Sequence, residues 1–257
     1  MKARTAKAKK QGKFYITTAI PYVNASPHIG HALEFVQTDA IARFRKFAGR
    51  SVYLTTGADE NSLKNVQAAE QKGLTTQQLC DQNSALFKAF AEKIGTSNDV
   101  FLRSSSKTAH WPGVQKLWQL CVKRGDVYKK KYKGLYCVGC EAFYKPEELV
   151  DGCCPEHRKK PDPVEEENYF FRLSKYQKKI AKLIESGELL VMPEAHRKEA
   201  LAFVKAGLED FSISRSVARA KGWGVPVPGD ALYAMVSVLP CVNPPGAFAP
   251  KNPAPAI

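Results

Sequence analysis

No stretch of this sequence stays apolar for the roughly 18 residues that a membrane-spanning helix requires. The longest candidate, "ALYAMVSVLPCV", is too short and is broken by a proline, so no membrane role is expected. A secretory signal is missing too: the start, "MKARTAKAKKQGK", is basic but has no apolar core behind it and reads as a solvated basic tail over residues 1–12. Without an export signal, the seven cysteines point to a reducing, cytoplasmic setting, where clustered thiols bind metal more often than they form disulfides. Negative charge is the scarce kind, with 25 Asp plus Glu against 39 Lys plus Arg and a formal net charge of +14. The excess recurs in blocks such as "KRGDVYKKKYK", "HRKK" and "SKYQKKIAK". A polyanionic partner, most simply RNA, would account for it, although a basic run is often only a solvated face.

What the sequence does contain is enough apolar material for a real core. Of 257 residues 44% are hydrophobic, sufficient for one large domain or two modest ones. The stretch "KFYITTAI" is rich in β-branched and aromatic residues and predicts a buried strand that stops at Pro21. A helix is predicted from Ser26 as N-cap, with Pro27 at its first position and Leu33, Val36, Ala40, Ile41, Phe44 and Ala48 on one buried stripe. "SVYLTTG" predicts a second strand, and helices follow over "SLKNVQAAEQKG", over "TTQQLCDQNSALFKAFAEKIG" up to Gly95, and over "GVQKLWQLCVKRG". Strands alternating with helices imply an α/β fold with a parallel sheet, whose ligands sit at the C-terminal strand ends.

Two clusters carry chemistry. "AIPYVNASPHIGH" places His28 and His31 around Gly30 at the start of the first helix. Backbone amides and the helix dipole favour an anion there, Gly30 permits close approach of a nucleotide, and histidines three apart share a face. By themselves these residues fit a phosphate site and a pair of surface histidines beside a capped turn equally well. Zinc-protease chemistry fits poorly, because it uses histidines four apart with a Glu between them. The second cluster is "YCVGCEAFYKPEELVDGCCPEH". Cys137 and Cys140 form one C-x-x-C pair, and Cys154 with His157 repeats the spacing, so three thiolates and an imidazole predict one tetrahedral zinc. Cys153 competes with Cys154, but the gap to His157 favours Cys154. A closed set of four ligands leaves no open position, which makes the zinc structural. Cys80, Cys121 and Cys241 read as plain thiols.

The motifs "ITTAIPYVNASPHIGH", "TTGADE", the cysteine-histidine knuckle, "NYFFRLSKY" and "FSISR" followed by "WGVPVP" occur in the order seen in methionyl-tRNA synthetases, and the sequence resembles the N-terminal part of that class I family from Lys13 to Pro228. The resemblance implies a Rossmann-like catalytic domain split by a zinc-bearing connective insert. Its first half would span residues 13–112, the insert 113–210, and the start of an incomplete second Rossmann half 211–239, followed by a Pro-rich irregular tail over 240–257. It also implies methionine, ATP with magnesium, and tRNA as substrates. His28 and His31 would stabilise the phosphates, with Gly30 beneath the adenine. Ala19, Ile20 and Tyr22 would line the methionine site, and Asp59 would hold the amino group.

The departures from the family are specific. Asn61 and Ser62 in "DENS" stand where an imidazole or aromatic ring and a glycine are usual, Pro228 and Gly229 stand in place of Trp-Phe, and Met235 replaces a Tyr. No Lys-Met-Ser-Lys-Ser loop occurs. The expectation is a fragment of a methionine–tRNA ligase with impaired activity; the alternative is an inactive remnant serving as an RNA-binding or interaction module.

Overall fold

The structure, a computed structural model, describes residues 11–140 and 142–235. The expected Pro-rich tail, Cys241 and nearly all of the basic tail lie outside the described residues. The chain divides into two compact units, residues 1–60 with 65–110, and residues 61–64 with 111–257. Among the described residues no helix is long and apolar enough to cross a membrane.

The first unit is built on three parallel strands in the order β1 (Gln11–Thr17), β2 (Arg50–Ala58) and β3 (Val100–Arg103). Helix α1 (Ile29–Phe47) connects β1 to β2, while α2 (Leu63–Gln71) and α3 (Thr76–Lys93) follow β2. Parallel strands require such crossovers, and the alternation foreseen in the sequence supplies them. Thr75 caps α3 by accepting from the Gln78 amide, and Gly95, at φ +75°, sits just beyond its end. The predicted first strand ends early. Thr18 still donates to the Thr55 carbonyl, but the Ala19 amide turns to the Glu34 carboxylate on α1, so the ladder is abandoned before Pro21.

The predicted start and buried stripe of the first helix are both corrected. The N-cap is His28, not Ser26, because the His28 side chain takes a first-turn amide and its backbone is extended (φ −138°, ψ 177°). Pro27 therefore precedes the helix. The buried face consists of Ala32, Phe35, Thr38, Asp39 and Ala42. Leu33, Val36, Ala40, Ile41 and Phe44, expected inside, are exposed, as are Ile29 and Phe47. Apolar residues occupy more than one face of this helix and two polar residues, Thr38 and Asp39, are buried, so period alone does not single out the buried stripe. The outer strand β1 likewise leaves Tyr15 exposed, stacked beside Tyr53 of β2.

The second unit opens with α4 (Trp111–Lys123) and a hairpin-rich antiparallel sheet in the order β5 (Ala142–Tyr144), β4 (Val127–Cys137), β6 (Asp162–Phe171) and β7 (Phe211–Ser212). Helices α5 (Gln177–Ser186) and α6 (Glu194–Ala206) bury Ile184, Val204 and Leu208 between them. A further antiparallel sheet runs in the order β8 (Ser214–Ser216), β10 (Asp230–Met235) and β9 (Val225–Val227). Trp118, Ile213, Val227 and Met235 belong to one core cluster beneath it.

Register explains the fate of the basic run. Lys131 lies opposite Glu167 and Lys133 opposite Glu165 across β4 and β6. Lys133 pairs with Glu165 at 3.2 Å, and Lys129 reaches Asp230 at 2.8 Å over the rings of Tyr169 and Tyr233. Opposite charges facing each other across strands stabilise the sheet, and Lys129 and Lys133 of this run have acidic partners within the fold.

Candidate active site and metal centre

His28 and His31 stand at the N-terminus of α1, on the loop that leaves β1. The His28 Nδ1 accepts from the Gly30 amide at 3.1 Å, and the His31 Nδ1 accepts from the His28 amide at 3.1 Å. This is a capping box in which two imidazoles do the work more often done by a hydroxyl and a carboxylate. The rings lie 3.9 Å apart between centroids, and His31 meets the fully buried ring of Phe87 edge-on at 4.9 Å. Burial, reinforced by His28, holds His31 below the ordinary histidine value. A Cβ added at Gly30 would lie 3.0 Å from the His28 ring, so a glycine keeps this cap compact.

The loop itself is held from behind. Val23 is fully buried and its carbonyl accepts from Asn83 Nδ2 on α3, while Glu34 on α1 takes the Ala19 amide. Tyr22 and Asp59 form a parallel bridge, with the Asp59 amide donating to the Pro21 carbonyl at 2.8 Å. The structure thus brings Tyr22 and Asp59 together at the strand ends, with Ala19 and Ile20 on the segment leading to them. Asp59 is 5% exposed, and its Oδ1 lies 3.4 Å from Ser104 Oγ. Asn61 and Ser62 are both buried.

Next to Asp59 lies a buried carboxylate that sequence reasoning passed over. Glu60 is fully buried and accepts from Arg103 Nε at 2.7 Å and from the hydroxyls of Ser84 and Ser105. Arg103 in turn bridges to Asp81 at 2.5 Å. Its charge is met by hydrogen bonds on both oxygens, the condition under which a buried carboxylate is tolerated. Neither Asn83, Phe87 nor Arg103 carries a local motif; their roles come from contacts 43 or more residues apart in sequence. Cys80, a plain thiol on the same helix, is fully buried, and desolvation pushes it up to about 12, which leaves it inert.

In the second unit, ligand atoms of Cys137, Cys140, Cys154 and His157 all lie within 4.8 Å of one another. The turn between β4 and β5 folds Cys140 back beside Cys137, whose register partner is Ala142. Cys137 and Cys154 sulfurs are 3.4 Å apart, and Cys140 Sγ is 3.1 Å from His157 Nδ1. Cys153 is engaged instead in a backbone bridge with Val150. Outer contacts orient the set: the Tyr144 hydroxyl donates to Cys140 at 3.0 Å and the His157 amide to Cys154 at 3.3 Å. Gly139 makes room for the imidazole, since a Cβ there would come within 2.8 Å of the His157 ring. Three thiolates and one imidazole at this spacing fit a four-coordinate metal, whose sulfurs would lie about 3.8 Å apart around a zinc.

Comparison with known proteins agrees with this geometry. The family model for class I tRNA synthetases (M) matches residues 14–163 and 157–236. The chain is 45% identical over 227 residues to the methionine–tRNA ligase of Brucella suis biovar 1, covering 87% of this chain and 43% of that protein. It is 41% identical over 234 residues to the methionine–tRNA ligase of Thermotoga maritima, covering 88% and 37%. A solved structure of Mycobacterium tuberculosis methionyl-tRNA synthetase, in complex with methionyl-adenylate, superposes with a TM-score of 0.82 at 39% identity, over 88% of this chain and 44% of that one. The chain spans less than half the length of these relatives. With its histidine-capped helix at the end of a parallel strand and its cysteine-histidine knuckle, the chain belongs to the class I tRNA synthetases, in the methionyl family.

Proposed function

We propose that this chain carries the methionine- and ATP-binding half of a methionine–tRNA ligase and acts in the cytoplasm. The observation that carries the reading is that one short loop runs from the Tyr22–Asp59 bridge into the His28–Gly30–His31 cap of α1. In the reaction, the methionine carboxylate attacks the α-phosphate of ATP, a P–O bond to pyrophosphate breaks, and methionyl-adenylate forms. The methionyl group then passes to the 3′ end of tRNA. No covalent nucleophile of the protein is needed, so the work lies in positioning and in donors to the phosphate oxygens.

His28 and His31 supply those donors, Gly30 lies beneath the adenine, Asp59 receives the methionine ammonium, and Ala19, Ile20 and Tyr22 line the pocket. Magnesium arrives with ATP as part of the substrate. Cys137, Cys140, Cys154 and His157 hold one zinc, which staples the knuckle and supplies no chemistry to the reaction. Residues 13–112 form the first Rossmann half, 113–210 the connective insert and 211–239 the approach to the second half.

Calorimetric titration with a non-hydrolysable methionyl-adenylate analogue tests the reading. Saturable binding competed by methionine is expected. A folded sample that does not bind the analogue would overturn it. The RNA-module reading draws less support from the Lys129–Lys133 run, two of whose lysines, Lys129 and Lys133, pair with acids of the same unit.

A further inference from the structure

The capping box fixes more than the start of α1. A ring nitrogen that accepts a hydrogen bond carries no proton, and a neutral imidazole must then hold its proton on the other nitrogen. Both Nδ1 atoms accept: His28 from the Gly30 amide, His31 from the His28 amide, each at 3.1 Å. Three amides of the helix end are meanwhile engaged already. The Gly30 amide is taken by His28, and the His31 and Ala32 amides reach the His28 carbonyl at 3.0 and 3.4 Å. Two imidazolium rings 3.9 Å apart would repel each other, and the Phe87 ring against His31 adds no counter-charge.

We infer that the capping box locks His28 and His31 as neutral Nε2–H tautomers, so that the site meets a nucleotide phosphate with two neutral side-chain donors in place of helix-end amides or an imidazolium. The phosphate part rests on the function proposed above; the tautomer assignment does not. Two roles are divided within each ring: Nδ1 builds the helix end and Nε2 is left as the donor. The lowered proton affinity of His31 is in keeping with this, because protonating Nδ1 would break the cap.

The division can be separated experimentally. Asn at position 28 keeps a short acceptor for the cap but has no donor at the Nε2 position, whereas Gln places an N–H near the Nε2 position but reaches past the cap. Long-range proton–nitrogen NMR on histidine-labelled full chain near pH 7.5, assigned with His28→Asn and His31→Asn, is expected to show Nε2–H tautomers at both sites. In thermal melts, His28→Asn should match the parent while His28→Gln melts lower. In titrations with inorganic pyrophosphate, His28→Asn should lose about tenfold or more in affinity, and His28→Gln less. Nδ1–H tautomers or imidazolium signals at either site would overturn the inference, as would a His28→Asn chain that binds pyrophosphate like the parent. Nε2–H tautomers in a parent chain that binds no pyrophosphate would instead sink the proposed phosphate site and leave the assignment standing.

Discussion

Tyr22 and Asp59 pair in a parallel bridge just beyond the end of β2, after the chain has already left β1 at Thr17. The ladder resumes for this one contact and pins the Asp59 backbone while its side chain stays nearly buried. Asp59→Asn keeps that geometry and removes only the charge. Its affinity for a methionyl-adenylate analogue is expected to fall about tenfold to a hundredfold, the cost of losing a charge-assisted hydrogen bond, with an unchanged melting temperature. Undiminished binding would remove Asp59 from its role.

Glu60 should dominate the stability of the first unit. Glu60→Ala strands Arg103 and the Ser84 and Ser105 hydroxyls, and breaking a buried pair costs about 3–5 kcal/mol. Because Arg103 is one-third exposed and keeps Asp81, the lower end is expected. Denaturant unfolding of Glu60→Ala and Glu60→Gln measures it; a change below about 1 kcal/mol would mean that the network contributes little.

The metal centre makes a prediction about a residue that binds nothing. Gly139→Ala leaves all four ligands in place but drives a methyl into the His157 ring. Elemental analysis of the parent should find about one zinc per chain, held against a competing chelator, with Gly139→Ala losing it far sooner. Cys137→Ser should lose it outright and unfold the knuckle, whereas Cys153→Ser should retain it. A folded parent free of metal would contradict the assignment.

Mild acid should weaken the fold through two histidines, His31 and His110. Burial lowers the proton affinity of His31, with His28 adding to it, and of His110, where the Ser104 carbonyl and Glu60 pull the other way without reversing it. The unfolded chain binds these protons more readily, so the stabilisation is complete above about pH 6.5 and is lost as pH falls through the folded values. Denaturant midpoints should therefore drop between about pH 7 and pH 5, and His31→Asn and His110→Asn should flatten that slope. A parent profile without the drop would refute the coupling.

The exposed apolar face of α1 predicts self-association. Phe44 is 62% and Phe47 92% exposed, so Phe44→Glu with Phe47→Glu should leave the melting temperature nearly unchanged and cut scattering from concentrated samples. Light scattering that does not respond to the pair would show that this face is not the adhesive one.

Much of this was legible in advance for identifiable reasons. The β1, α1, β2 alternation, the α3 span up to Gly95 and the cysteine-histidine spacing are local patterns, and local sterics, capping and ligand chemistry act over a few residues. The buried face of α1 is not legible in the sequence, because its apolar residues lie on several sides and period alone does not say which side meets the sheet. Ser26 looked like the cap because hydroxyls usually serve; only the folded loop shows His28 and His31 capping one another.

The sequence by itself determined the family, the order of strands and helices, the four candidate metal ligands and the histidines at a helix start, because each is a short motif whose chemistry depends on its neighbours in the chain. Tertiary structure alone decided which face of α1 is inside, that Lys131 and Lys133 face Glu167 and Glu165, and that Asn83, Phe87 and Arg103 support the site. Those relationships join residues distant in sequence, and strand register and helix packing exist only once the chain has closed on itself.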